Sequence, residues 1–130
     1  MAVGILLMTH EAIGPALVKA ARHVLGKLPL PLDTVEVPAD SDPTDMLRQG
    51  ARHARALDHG DGVLVLTDVF GATPCNIARR MDELGVHQRC VPGLNLPMLL
   101  RVLNYADRPL EELAEVAASG GRSGIFVDKG

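Results

Sequence analysis

The chain has 130 residues, of which 47% are apolar and only 2% aromatic, and its formal net charge is -3. This length suits a single domain, expected over residues 1–130, with an aliphatic core. The negative charge and the scarcity of aromatic side chains argue against nucleic acid or an anionic membrane surface as a partner.

Apolar runs of strand length alternate with segments of helical period, a pattern that predicts a parallel sheet with helices on both faces. The first strand is predicted over residues 2–8, which are almost wholly apolar, as expected at the centre of a sheet. The second strand, Leu32–Val37, contains Asp33 and Glu36 and is therefore expected near an edge. The helix between them has one apolar stripe: Ile13, Leu17, Ala20 or Ala21, Val24 and Leu28.

The second half of the chain continues the alternation of strands and helices. A helix is predicted to begin with Asp42 as its N-cap and Pro43 in its first position. Its buried face is expected at Leu47, Ala51, Ala54 and Leu57. Residues 62–67 form a third apolar strand, and residues 89–93 form a fourth, whose Pro92 favours an edge. Helices are expected from Thr73, as cap, and from Pro97 and Pro109, with a last short strand at 124–127.

Two side chains that could carry chemistry follow the two central strands. His10 follows the first strand and Asp68 follows the third. In doubly wound sheets ligands bind beyond the carboxyl ends of the strands, where the strand order reverses; in the common order 2-1-3-4 this lies between strands one and three. The helix start at 71–74 would face the same crevice, and its free N–H groups favour an anion, especially phosphate. Together these features predict a phosphoryl-accepting site.

Each of these residues also has an ordinary structural explanation. His10 alone could be a turn residue, Asp68 could cap the following turn, and a Thr-Pro pair is a common helix start. Their expected convergence on one spot favours function. The other histidines have no companion at metal-site spacing, so no metal is expected. They are His23, His53, His59 and His87.

Several other functions are disfavoured by what the sequence lacks. Cys75 and Cys90 are spaced for neither a zinc knuckle nor a redox pair, and unpaired thiols suit a reducing cytoplasm. No glycine-rich nucleotide-binding pattern occurs, and no cofactor is expected. No apolar run approaches the roughly 20 residues that cross a bilayer, and no signal peptide is recognised. We therefore expect a cytoplasmic location without membrane insertion.

Three segments have the character of sequence motifs: the strand that ends in Thr9-His10, the run DVFGATPCN at 68–76, and the run GLNLPML at 93–99. Together they resemble the mannose-type enzyme IIA family of the bacterial phosphoenolpyruvate-dependent sugar phosphotransferase system. The family patterns are close to G-T-H-G, D-x-x-G-G-[ST]-P-x-N and G-x-N-x-P-M. The resemblance spans nearly the whole chain and implies parallel strands in the order 2-1-3-4 with a short antiparallel fifth strand.

The resemblance also implies an activity, a site and partners. The activity is phosphotransferase: His10 accepts a phosphoryl group from the phosphohistidine of HPr, and the group then passes to a IIB component. Asp68 is implied as the carboxylate that orients His10, so that Nε2 attacks, and that stabilises the charged ring. The implied phosphate-binding positions are Thr9, Gly71, Ala72 and Thr73. A homodimer is expected, because family members pair and a terminal apolar strand can join a neighbour's sheet.

Some residues depart from the family patterns, and other functions stay open. Met8 and Glu11 replace the glycines that flank the Thr-His pair, and Ala72 replaces the second glycine of the phosphate loop. A carboxylate at Glu11 could weaken phosphate binding or alter docking. The alternatives are the phosphocarrier subunit of a dihydroxyacetone kinase, a regulatory module read by its phosphorylation state, and a non-catalytic scaffold. The sugar is not specified by this chain.

Overall fold

The computed structural model describes residues 2–29 and 31–130 and contains a parallel sheet of four strands in the order β2-β1-β3-β4. The strands are β1 Gly4–His10, β2 Leu32–Val37, β3 Val63–Thr67 and β4 Gln88–Pro92. The helices are α1 Ile13–Leu25, α2 Pro43–Leu57, α3 Thr73–Arg79, α4 Leu96–Asn104 and α5 Leu110–Ser123, with a 3₁₀ helix at Arg80–Leu84. The predicted α/β fold and strand order are confirmed, and β2 and β4 are the edge strands as expected.

The two central strands separate two apolar layers. Alternate residues of β1 point to opposite faces, so Ile5 and Leu7 pack with α1, α4 and α5, whereas Leu6 and Met8 pack with α2 and α3. All four side chains are fully buried. Because both faces of β1 and β3 are covered, these strands read as continuous apolar runs, and their backbones are held firmly at the carboxyl edge of the sheet.

The start and the buried face of α2 agree with the prediction. The Asp42 carboxylate accepts a hydrogen bond from the backbone N–H of Thr44 at 2.9 Å, and Pro43 is the first helical residue. This cap satisfies one of the N–H groups that the first helical turn leaves unpaired. The buried positions include every predicted one: Met46, Leu47, Gly50, Ala51, Ala54 and Leu57.

The apolar stripe predicted for α1 is partly confirmed: Leu17, Ala21 and Leu28 pack in or against the core, whereas Ile13 and Val24 do not. Ile13 and Val24 are 40% and 58% exposed, whereas Gly14 and Ala21 are buried. Apolar residues occupy both neighbouring stripes, so periodicity alone cannot separate them. The small side of the helix faces the sheet, because Gly14 approaches β1 and β2 closely. The helix also ends at Leu25, before the predicted Leu28, since Gly26 takes a positive φ of 79°.

The short fifth strand predicted at 124–127 is absent from the described residues. α5 instead continues through Gly120 and Gly121 to Ser123. These glycines are helical because they allow α5 to approach α4: a Cβ at Gly120 would lie 2.6 Å from the Cβ of Arg101. Beyond the helix the side chains of Ile125, Phe126 and Val127 are 74%, 80% and 81% exposed.

β1 and the end of α2 approach each other at a glycine. A Cβ on Gly4 would lie 2.5 Å from the carbonyl oxygen of Leu57 and 2.7 Å from its Cβ. A backbone atom cannot rotate away as a long side chain can, so any larger residue here must push the helix away from the sheet.

We expect Gly4→Ala to lower the free energy of unfolding by about 1–3 kcal/mol, the usual cost of overpacking a core. Urea denaturation at neutral pH would measure it. Ser119→Ala, at an exposed position on α5, is the control and should change stability by less than about 0.5 kcal/mol. Equal stability of Gly4→Ala and wild type would show that the close approach is not rigid.

Candidate functional site

The carboxyl ends of the two central strands bring His10 and Asp68 together. His10 is the last residue of β1, and Asp68 directly follows β3. The Nδ1 atom of His10 lies 2.7 Å from Oδ2 of Asp68, and the same oxygen accepts the backbone N–H of His10 at 3.0 Å. β1 begins and ends two residues later than predicted, and at its end Thr9 and His10 pair with Glu36 and Val37 of β2.

The Asp68 carboxylate is held in its charged form by hydrogen bonds. Its side chain is only 6% exposed. This burial by itself raises the pKa, but the hydrogen bonds from the His10 ring and backbone, the bond from its own backbone and the attraction of His10 together outweigh it. The net result is a pKa below the usual value of 3.8. Asp68 is therefore an anion at neutral pH.

The charge on Asp68 fixes which nitrogen of His10 carries the proton. A carboxylate can only accept hydrogen bonds, so Nδ1 must be the donor in the contact with Oδ2. In the neutral ring this leaves Nε2 with a free lone pair. The His10 side chain is 46% exposed, so a second molecule can reach it. The arrangement is that of an oriented nucleophile.

His10 opens onto a small cleft between the β2–α2 loop and the start of α3. The cleft has a volume of about 220 Å³ and is lined by His10, Val37, Pro38, Ala39, Ser41 and Thr73. It offers two hydroxyl groups beside the imidazole. Thr73 is exposed, whereas the Ser41 hydroxyl donates to the Pro38 carbonyl at 2.7 Å.

The loop between β3 and α3 is more tightly constrained than the sequence indicates. Gly71 has a φ of 82°, a conformation that glycine adopts without strain. The Ala72 N–H donates to the carbonyl of Val69 at 3.3 Å, and the Asn76 side chain donates to the carbonyl of Gly71 at 2.9 Å. Ala72, not Thr73, is the N-cap residue, and it makes no side-chain cap. Thr73 is thus the first helical residue, and its hydroxyl is not used as a cap.

Thr9 holds the backbone of the site. Its side chain is fully buried, and its hydroxyl donates to the His10 carbonyl at 2.8 Å and accepts the N–H of Gly14 at 2.9 Å. This placement does not support the predicted binding of phosphate by Thr9, because the hydroxyl is already engaged on both sides. A buried threonine after an apolar strand carries no sequence signal that would separate the two roles.

Glu36 is a residue of the site that sequence reasoning missed. It lies on β2 opposite Thr9, and its carboxylate accepts the backbone N–H of Ala12 at 2.6 Å. Its only sequence signal is a charge within a strand, which we used to assign the strand to an edge. Glu11, which occupies a glycine position of the family pattern, has no positive φ, and its side chain is exposed.

A second histidine–aspartate pair lies away from this cleft. Nδ1 of His53, on α2, is 2.5 Å from Oδ2 of Asp33, near the start of β2. The two side chains are 39% and 44% exposed, so this carboxylate is far more hydrated than Asp68. Within residues 2–29 and 31–130 no group of three or more His, Cys, Asp or Glu side chains could hold a metal ion.

The cysteines lie on the α3 and β4 side of the sheet. Cys75 is fully buried and Cys90 is partly buried. Burial, together with the neighbouring Cys75, raises the pKa of the Cys90 thiol to about 12, so it is not a reactive thiolate. In the described part of the chain no helix is long and apolar enough to span a membrane.

Asp68→Asn should reduce stability in a pH-dependent manner. The lowered pKa means that the ionised carboxylate stabilises the fold above 3.8 and that this contribution is lost as the pH falls below that value. At pH 6 we expect the variant to be about 1–2 kcal/mol less stable than wild type, as for a hydrogen bond to a charged group. Urea titrations between pH 6 and pH 3 would show the difference shrinking.

Asp107→Asn is the matched control, because Asp107 is exposed. It should stay within about 0.5 kcal/mol of wild type throughout. A deficit of Asp68→Asn that is the same at both ends of the pH range would contradict the charged hydrogen bond.

The chain is similar to several known proteins. The family model EIIA-man, described as PTS system fructose IIA component, matches residues 4–118. The mannose-specific EIIAB component of the PTS of Escherichia coli (strain K12) is 32% identical over 127 residues, which are 96% of this chain and 39% of that protein. The transcriptional regulatory protein LevR of Bacillus subtilis (strain 168) is 27% identical over 115 residues, 85% of this chain and 12% of that protein.

Solved structures give the same result. The mannose/sorbose specific IIA subunit of the phosphotransferase system from Enterococcus faecalis has a TM-score of 0.87 and 25% identity, and the match covers 99% of this chain and 96% of that one. The chain spans about two fifths of the length of the curated mannose-specific relatives. The chain belongs to the mannose-type IIA components of sugar phosphotransferase systems, a family of phosphocarriers.

Proposed function

We propose that this chain accepts a phosphoryl group on Nε2 of His10 from the phosphohistidine of HPr and passes it to a IIB component during sugar uptake. The observation that supports this most directly is the 2.7 Å contact between His10 Nδ1 and a buried, charged Asp68. The family matches favour this function over a subunit of dihydroxyacetone kinase or a purely regulatory module. We place residues 1–130 in one IIA domain and the reaction in the cytoplasm.

The proposed step exchanges one phosphorus–nitrogen bond for another. The Nε2 lone pair of His10 forms a bond to phosphorus while the bond to the donor imidazole breaks, and the donor ring retains that electron pair. The His10 ring becomes positively charged, with its proton still on Nδ1. Asp68 accepts that N–H and stabilises the charge without taking the proton. In the second transfer a histidine nitrogen or a cysteine sulfur of the IIB component forms the new bond to phosphorus. The bond from phosphorus to Nε2 breaks, and the His10 ring retains that electron pair and is neutral again.

The phosphoryl oxygens require polar partners beside Nε2. We propose the Thr73 hydroxyl and the backbone around Gly71 for this role, because Thr73 lines the same cleft as His10. Ala72 is a weaker candidate, since its N–H already donates to Val69. In-line transfer needs alignment and charge stabilisation, which these groups can supply, and the proposal includes no metal and no organic cofactor.

Donor and acceptor must both reach His10, so the surface around it must fit a protein. Val69 and Phe70 directly follow Asp68 and are 53% and 72% exposed. Arg79 lies over the Phe70 ring at 5.9 Å from its centroid. We propose that this apolar loop is part of the surface that HPr and the IIB component contact in turn.

Replacement of His10 tests the phosphoryl acceptor directly. Incubation with phosphoenolpyruvate, enzyme I and HPr should place one acid-labile, alkali-stable phosphate on the wild-type chain, and His10→Ala should abolish the label. His53→Ala is a matched control: His53 makes the same kind of Nδ1–carboxylate contact but does not line the cleft. This control should be labelled as fully as wild type.

Two results would contradict the proposal. One is a label that persists on folded His10→Ala. The other is the absence of label on folded wild type while HPr from the same reaction is phosphorylated. Circular dichroism of each variant would verify that it is folded.

We further propose a homodimer in which the segment after α5 takes part. β4 is an edge strand, so one row of its backbone groups has no strand beside it in the single chain. Ile125, Phe126 and Val127 are the most exposed large apolar side chains of the described residues. Pairing of this segment with the β4 edge of a second copy would cover both features, although it forms no strand within one chain.

Sedimentation equilibrium at micromolar concentration should give the mass of a dimer. Replacement of Ile125, Phe126 and Val127 together by serine should shift the equilibrium towards monomer by at least tenfold, because it removes apolar area from the contact. Val24→Ser, at an apolar position of α1 that is 58% exposed, is the control and should leave the mass unchanged. A monomeric wild type would contradict the proposal.

A further inference from the structure

The turn between β1 and α1 contains an unfavourable backbone conformation. Ala12 has a φ of 71° and a ψ of -19°, and it is the only residue other than glycine with a positive φ among residues 2–29 and 31–130. An alanine Cβ makes this left-handed region costly, so it persists only where its surroundings enforce it. Because Ala12 is only two residues after His10, whatever holds Ala12 in this conformation also affects the position of His10.

Glu36 supplies a contact that enforces this conformation. Its Oε1 accepts the N–H of Ala12 at 2.6 Å, a short hydrogen bond to a charged acceptor. Glu36 pairs with Thr9 across β1 and β2, and it lies on the same face of β2 as Thr34, two residues earlier. Gly14 of α1 packs above Thr34, so this is the face that α1 covers, and Glu36 is in a position to reach the start of that helix.

Glu36 completes a series of contacts along the turn. Three alternate backbone N–H groups, those of His10, Ala12 and Gly14, donate to the side chains of Asp68, Glu36 and Thr9, respectively. The first of these acceptors comes from the end of β3, the second from β2 and the third from β1 itself. The middle contact holds the strained residue, so its loss should release the turn while the two flanking contacts remain.

We propose that Glu36 is a positioning residue, which holds the turn after β1 in its left-handed conformation and so directs His10 into the cleft. This inference rests on the proposed phosphoryl transfer through His10. Glu36 touches no reacting atom in this role. It acts through the backbone of Ala12. What matters in this role is an acceptor oxygen on a side chain long enough to reach the Ala12 N–H, and the negative charge is not required.

Four variants separate this role from contact with a protein partner: Glu36→Ala, Glu36→Gln, Ala12→Gly and the double variant Glu36→Ala/Ala12→Gly. The amide oxygen of glutamine can accept the same hydrogen bond, and glycine takes the left-handed conformation without strain. Initial rates of phosphoryl transfer from phosphorylated HPr to each chain would be compared at equal folded concentration. The wild-type rate, measured in parallel, tests the proposed function separately.

We expect Glu36→Ala to slow transfer about five- to tenfold, the effect of releasing one strained residue. Glu36→Gln and the double variant should recover most of the rate, and Ala12→Gly alone should stay within about twofold of wild type. An unchanged rate in Glu36→Ala would overturn the proposal. So would a loss that neither glutamine nor Ala12→Gly restores, because Glu36 would then contact the partner or the phosphoryl group.

A second measurement needs no phosphoryl donor and therefore does not depend on the proposed function. Amide hydrogen exchange at Ala12, followed by NMR, should be slow in wild type and Glu36→Gln and at least tenfold faster in Glu36→Ala. The Gly14 amide, which donates to Thr9, is the internal reference and should keep its protection. Equal exchange at Ala12 in wild type and Glu36→Ala would overturn the proposal even if His10 is phosphorylated as expected.

Discussion

The site depends on one carboxylate oxygen that binds a single residue twice. Oδ2 of Asp68 accepts both the backbone N–H and the ring Nδ1–H of His10. The backbone contact fixes the position of the His10 main chain. The ring contact fixes the orientation of the imidazole and leaves Nε2 as the nitrogen without a proton. Because Asp68 is almost completely buried, these hydrogen bonds replace hydration that the carboxylate has lost, and leaving either unmade would be costly.

This contact is possible only because of the order in which the strands lie. β1 and β3 are neighbours although α1, β2 and α2 separate them in the chain, and Met8 pairs with Thr67 at the end of the ladder. His10 and Asp68, at the ends of these paired strands, are therefore held side by side, because apolar layers cover both faces of the strands. A rigid support of this kind is what a group needs if it must meet two partners in the same orientation.

Much of the fold is predictable from local signals. The alternation of apolar runs and helical stripes indicates a parallel sheet, although its strand order is implied only by the family resemblance. Asp42 with Pro43 marks the start of α2 because both effects act within one helical turn. The stripe of α1 is only partly predictable in this way, since the stripes that begin at Ile13 and at Gly14 share Leu17 and Ala21. Only the close contact of Gly14 with the sheet selects between them. The last strand is wrong for a different reason: an apolar run becomes a strand only when it pairs with another strand, and in the described residues 124–127 pair with none.

Only part of the candidate site is predictable from the sequence. The proximity of His10 and Asp68 follows from topology, because His10 ends one central strand and Asp68 directly follows the other. The roles of Thr9 and Glu36 do not follow from topology, since each depends on a hydrogen bond to a backbone N–H beyond β1. Thr9 accepts the N–H of Gly14, and Glu36, from β2, accepts that of Ala12. Such contacts join a side chain to the backbone of a turn, and the identity of the turn residue does not indicate them.

The second histidine–aspartate pair shows why the contact alone does not define a site. His53 and Asp33 bring the same atoms together, yet both side chains are about two fifths exposed. Water competes for that carboxylate and screens its charge, so the pair contributes little to orientation. The Asp68 side chain is shielded from water, and its ring partner lines a cleft that also contains the side chains of Ser41 and Thr73. What distinguishes His10 is therefore the combination of a buried carboxylate at Nδ1 and an exposed ring that lines a cleft.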